Sequence, residues 1–236
     1  MDAGRMEEGM RGLAVRAAGP TSRRSFLKWS GAAAAIAVGT TGCESIFGDD
    51  DDDDGGNLVL DFGTDFGVLN YAYALEQLEA AFYTAVAGAA GFATTFSADE
   101  QRVLRDLRDH EVAHREFFAR AIPALGGRAI PALTPNFGSV NLANRAQVLQ
   151  AAQTFEDLGV AAYNGAGKYL RSTDLLTIAG KIVSVEARHA SAIRDLIGPK
   201  TAAFAPAAFD AGREPSQVLA SAGAFIEETI RLRNAA

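Results

Sequence analysis

One cysteine, Cys43, is all that the 236 residues contain, so no disulfide can close within the chain. Basic residues are in deficit too: Lys and Arg number 22 against 29 Asp and Glu, for a net charge of -7 and a pI near 5.0. Phosphate binding needs a concentrated basic face, and no basic cluster appears after residue 30, which excludes a nucleic-acid partner. Membrane-length apolar runs are missing as well. The run from Gly31 to Val38 is far shorter than the ~20 residues that span a bilayer. What remains is ordinary for a soluble fold: 48% apolar and 22% charged residues suit one compact domain with tails.

The tails come first. Residues 1–48 form a targeting segment outside the fold. Within it Ser22-Arg23-Arg24-Ser25-Phe26-Leu27-Lys28 resembles the twin-arginine export signal, and the weakly apolar run behind it is a signal core. That resemblance implies the twin-arginine export machinery as a partner and passage across the membrane in the folded state, which would allow a metal site to be loaded before export. Cys43 follows Thr40-Thr41-Gly42, where a lipoprotein signal places its acylated residue, although such signals usually carry Leu at the first of those positions. Two readings stay open for Cys43: lipid attachment to a membrane, or a residue removed or left as a free thiol. In both, the mature protein works outside the cytoplasm, in the periplasm or attached to the cell envelope. Residues 49–57, with six aspartates from Asp49 to Asp54 followed by Gly55 and Gly56, read as a self-repelling tether.

Beyond the tether the pattern is helical, and residues 58–200 are expected to form one bundle. Leu69, Glu76 and Tyr83 recur at seven-residue steps and predict a first helix from about Phe66 to Ala90. Ser97-Ala98-Asp99-Glu100 is a capping-box signature for a second, running to about Ile122, where Pro123 and Gly126-Gly127 stop it. Its apolar stripe, Leu104, Leu107 and Phe118, includes Glu111 and His114. From Gly126 to about Leu142, Pro131 and Pro135 interrupt any period, and the segment is long enough to run the length of a bundle. A third helix is expected from about Ala143 to Leu170, with Glu156 and Tyr163 on its stripe. A fourth is expected from about Thr173 to Ile197, with Glu186 and His189. Short, long and short connections give two antiparallel hairpins joined by one crossover, an all-α four-helix bundle. In residues 201–236, Pro215 to Arg233 reads as an additional, amphipathic C-terminal helix that caps the bundle or docks another subunit in an oligomer.

A duplication carries the chemistry. Glu76 with Tyr83, then Glu111 with His114, is repeated as Glu156 with Tyr163, then Glu186 with His189. One Glu-x2-His pair is weak, since such pairs are frequent on solvated helix faces. Two copies, each preceded by Glu-x6-Tyr and all on apolar stripes, are much more specific. Four carboxylates at core positions cost several kcal/mol each unless something offsets their charge. The three-residue spacing puts each Glu and His on one helix face, so both can reach the same ion. Glu79, one turn after Glu76, is a further candidate ligand, although the repeat favours Glu76 because Gly159 stands at the matching place after Glu156. Tyr83 and Tyr163 read either as hydrogen-bond donors to ligand carboxylates or as packing residues with satisfied hydroxyls.

The segments Leu75 to Tyr83, His110 to His114, Phe155 to Tyr163 and Val185 to His189 resemble the ferritin-like superfamily, and within it the ferritin-like domain family that includes desiccation-related proteins. The resemblance spans about Leu58 to Leu196 and implies a ferritin-like bundle with two metal ions, iron or manganese. It implies Glu111 and Glu186 as bridging ligands, Glu76 and Glu156 as terminal ones, and one nitrogen each from His114 and His189. A reaction does not follow from fold resemblance. The reading it favours is an oxidoreductase acting on a small oxidant, dioxygen or peroxide, in stress protection. A non-enzymatic, envelope-tethered module that binds metal or is cross-linked by it is the alternative. His110-Glu111-Val112-Ala113-His114 also fits the zinc-protease pattern, with His110 and His114 on zinc and Glu111 activating water. Against that, residue 185 is Val, so the second copy lacks the extra His, and Glu76 and Glu156 are left without a role. Outside the protease reading, His110 is a helix-surface residue or an outer partner of the ligands.

Overall fold

The structure is a computed structural model that describes residues 57–235. The export signal, Cys43 and the aspartate tether lie outside the described residues. Strand β1 (Leu58–Asp61) leads into helix α1 (Asp65–Gly88), whose first turn is capped by the Thr64 hydroxyl accepting from the Gly67 amide at 3.2 Å. A one-turn helix α2 (Phe92–Thr95) precedes α3 (Ala98–Ala124). The predicted capping box starts α3: the Glu100 amide donates to Ser97 Oγ, and the Ser97 amide to Glu100 Oε2. Pro123 does not stop this helix as expected. In the last turn its ring removes only one backbone bond, and the chain runs on to Ala124. The turn is closed by Leu125 N to Ala121 O and Gly127 N to Ile122 O, with Gly126 at a φ of 90°, where a side chain would be strained.

Residues 126–144 form the crossover. Two buried polar side chains on α1, seven residues apart and therefore on one face, hold it in place. Asn70 accepts from the Ile130 amide at 2.8 Å and donates to the Arg128 carbonyl at 2.9 Å. Gln77 does the same with Leu133 N at 2.8 Å and Pro131 O at 3.3 Å. Helix α4 (Arg145–Ala166), capped by Asn144, tightens into a 3-10 turn at Gly167–Tyr169, so it is shorter at both ends than the expected span. Helix α5 (Thr173–Ile197) follows, capped by Ser172. Helix α1 packs chiefly on α3 and α4 on α5, which gives two hairpins across one crossover. No helix among the described residues is long and apolar enough to cross a membrane.

The C-terminal segment corrects one expectation. Only Pro215–Ala222 is helical (α6); a 3-10 turn at Gly223–Phe225 follows, and Ile230–Arg233 is a strand, β2. Ile230-Arg231-Leu232-Arg233 alternates apolar and basic residues, a period of two that suits a half-buried strand better than a helix. Strand β2 pairs in parallel with β1, Leu60 against Leu232, and ties the end of the described chain to its beginning. Phe155 on α4 lies edge-on to Phe82 of α1 and to Phe225, each at 4.8 Å between ring centres, and Phe137 of the crossover packs on Phe82 at 5.4 Å. One aromatic cluster thus fastens both hairpins, the crossover and the C-terminal segment.

Candidate metal centre

Each of the four long helices carries a buried glutamate near mid-length, inside an apolar stripe. Glu76 sits between Leu75 and Leu78 on α1, and Glu111 between Leu107 and Phe118 on α3. Glu156 follows Phe155 on α4, and Glu186 lies between Ile182 and Ile193 on α5. All four carboxylates are 0% exposed, and Glu79 and His189 are 3% exposed. They fall into two groups, Glu76, Glu111, His114 and Glu186, and Glu111, Glu156, Glu186 and His189. Within each group the ligand atoms lie within 4.8 Å of one another, a placement that can hold a metal ion.

The two shared carboxylates are split between the groups. Glu111 turns Oε2 toward His114 Nδ1, at 3.5 Å, and Oε1 toward His189 Nδ1, at 2.6 Å. Glu186 turns Oε1 to His114 at 3.0 Å and Oε2 to His189 at 3.8 Å. Glu76 Oε2 completes the first group at 3.3 Å from His114, and Glu156 Oε2 the second at 3.5 Å from His189. These approaches are not aligned as hydrogen bonds. Eight buried atoms of the six residues are left without a hydrogen-bond partner: both oxygens of Glu111 and of Glu186, one oxygen each of Glu76 and Glu156, and the Nδ1 of each histidine. A buried polar atom in that condition costs about 1–3 kcal/mol, more when charged.

The oxygens of Glu76 and Glu156 outside the groups are satisfied by tyrosines that cross between hairpins. Tyr83 on α1 donates its hydroxyl to Glu156 Oε1 at 2.5 Å, and Tyr163 on α4 donates to Glu76 Oε1. Glu79 belongs to neither group. Its carboxylate lies against Gly159, where an added Cβ would stand 2.9 Å from Glu79 Oε1 and 3.5 Å from Glu186 Oε2. The helix position that matches Glu79 in the repeat is therefore vacated to admit it. His110 belongs to neither group either; its Nδ1 lies 2.9 Å from His189 Nε2, so it does not converge with His114 as a zinc-protease pair would.

The electrostatics follow from crowding. Burial pushes the Glu76 carboxyl up to about 8, against the opposing pull of His114, and lifts Glu156 to about 8 against His189. Burial and then the charges of Glu186 and Glu111 raise Glu79 well above the carboxylate range. Burial alone would raise Glu111, but His114 and His189 outweigh it and hold the group down at about 2. Burial lowers His189, and the surrounding Glu111, Glu156 and Glu186 overcome that and lift it to about 12. Protons are therefore held on buried carboxyls of a cluster whose carboxylates outnumber its imidazoles.

Residues 64–199, more than half of the chain, match the ferritin-like domain family, and the match covers all four long helices. The chain belongs to that family. Residues 20–39 of this ferritin-like protein match the twin-arginine translocation signal, which addresses it to the twin-arginine machinery and across the membrane. Nothing among curated proteins matches it. The residues present fit a pair of divalent cations: the orphaned atoms are carboxylate oxygens and imidazole nitrogens, the donors that iron and manganese accept, and the described residues include no cysteine. Arg23, Arg24 and Cys43 fall outside the described residues.

Proposed function

We propose that the protein is an exported dinuclear metalloprotein that holds two iron or manganese ions and reduces dioxygen or peroxide in protection against oxidative or desiccation stress. One ion would be held by Glu76, Glu111, His114 and Glu186, the other by Glu111, Glu156, Glu186 and His189, with Glu111 and Glu186 bridging. The observation that carries this reading is the division of those two carboxylates, one orphaned oxygen facing each group. A bound pair of redox-active ions supplies electrons to the oxidant. The chain's own part is to hold and shield. Tyr83 and Tyr163 fix the terminal carboxylates and keep protons beside them. Apolar neighbours exclude water. An apolar cavity of about 30 Å³, bounded by Leu75, Phe118, Ala162 and Tyr163 among others, reaches Tyr163, the donor to Glu76, and suits a small uncharged molecule better than an ion.

Export places this chemistry outside the cytoplasm, and acylation of Cys43 would hold it at the envelope, with the aspartate run as the spacer. The test is rapid mixing of the reduced, iron- or manganese-loaded protein with dioxygen or peroxide, followed optically and with a reductant present. Repeated turnover supports an oxidoreductase. Metal binding without any reaction would sink the enzymatic reading and leave a metal-binding module.

A further inference from the structure

The repeat that builds the centre is broken beside its Glu-x2-His pairs. The residue before Glu111 is His110, whereas the residue before Glu186 is Val185. His110 stands on the accessible face of α3 and reaches across to α5: its Nδ1 is 2.9 Å from Nε2 of the buried His189. The two ring planes are only 14° from parallel with centres 5.2 Å apart. Face-to-face rings cannot bring nitrogens closer than about 3.5 Å, so the contact is a hydrogen bond lying near the plane of both rings. The opposite nitrogen of His189, Nδ1, faces Glu111 at 2.6 Å and Glu156 at 3.5 Å.

A neutral imidazole carries one proton. For His189 to offer its Nδ1 lone pair to an ion, that proton must be on Nε2, and His110 Nδ1 is where Nε2 can donate it. We infer that His110 is the positioning residue of His189: it fixes the tautomer and plane that turn Nδ1 into the cluster, and so makes the two metal positions unequal. Val185, at the matching place of the other half, has no nitrogen or oxygen to do the same for His114. The position shared by Glu111, Glu156, Glu186 and His189 is the supported one; the position that includes Glu76 and His114 is not.

This inference rests on the dinuclear reading, and the experiment separates the two. The metal-free protein is titrated with Co²⁺ under exclusion of oxygen, and binding and the visible absorption of bound cobalt are recorded. The wild type should bind two ions with resolved affinities. His110→Phe keeps the ring and removes the acceptor; it should weaken one of the two sites by about 10–100-fold and alter that site's cobalt spectrum, with the other site unchanged. His110→Asn, whose side-chain oxygen stands near the place of the lost Nδ1, should restore much of the affinity, an outcome a merely structural role would not produce. Two sites unaffected in His110→Phe, or both weakened alike, would overturn the inference while the dinuclear reading stands. No cobalt bound by the wild type would overturn both.

Discussion

Metal loading should stabilise this protein by an amount set by the number of sites and by which residues they share. A ligand at 100 times its dissociation constant stabilises the folded state by about 2.7 kcal/mol per site, so two sites give about 5 kcal/mol. In a domain of this size each kcal/mol moves the melting temperature by about 2–4 °C, which makes the expected rise about 10–20 °C. The sharing of ligands makes the prediction specific. Glu76 belongs to one group only, so Glu76→Ala should remove about half of the rise. Glu111 and Glu186 belong to both, so the double variant Glu111→Ala with Glu186→Ala should remove all of it. Scanning calorimetry with and without Mn²⁺ measures every term. A wild type whose melting is unmoved by metal, or a rise that survives in the double variant, would refute the reasoning.

Acidity supplies a second test. Glu76 and Glu156 have folded-state values of about 8, above the ordinary carboxylate value, so their contribution to the metal-free fold is complete below about pH 4.5 and is lost as the pH rises through 8. The metal-free melting temperature should therefore fall between pH 5 and 8.5, while apparent metal affinity rises over the same window as those protons are displaced; calorimetry across that range checks both slopes. Tyr163→Phe removes the donor to Glu76 and Tyr83→Phe the donor to Glu156, and each should weaken one site by about 10–100-fold in a two-site titration. Phe155→Ala opens the aromatic cluster between both hairpins and the C-terminal segment, and should cost about 3–5 kcal/mol in denaturant unfolding.

The bundle is legible in the sequence because each long helix carries an apolar stripe, and α3 carries a start signal as well. Ser97 with Glu100 marks α3, and Thr173 to Ile197 is bounded by Ser172 and by Gly198-Pro199. The gathering of Glu76, Glu111, His114, Glu156, Glu186 and His189 is legible for a related reason: charged residues in core registers of four packed helices have only one interior to share. What is not legible depends on partners distant in the chain. Ile230 to Arg233 becomes a strand because β1, at the other end of the fold, offers it an edge, and the apolar-basic alternation was the only local sign. Pro123 reads as a stop, yet a proline in a last turn breaks too little to end α3. Asn70 and Gln77 look like ordinary polar residues until the crossover is seen hydrogen-bonded to them. The pairing of Glu79 with the space over Gly159, and of His110 with His189, crosses between hairpins, and spacing within one helix carries no record of it.

The claim at the centre of this account is that two ions share Glu111 and Glu186. Its most direct test is plasma mass spectrometry of the purified exported protein beside the Glu111→Ala, Glu186→Ala double variant. The account predicts about two iron or manganese ions per chain in the wild type and none in the variant. A single zinc ion, or no metal under any loading condition, would contradict it.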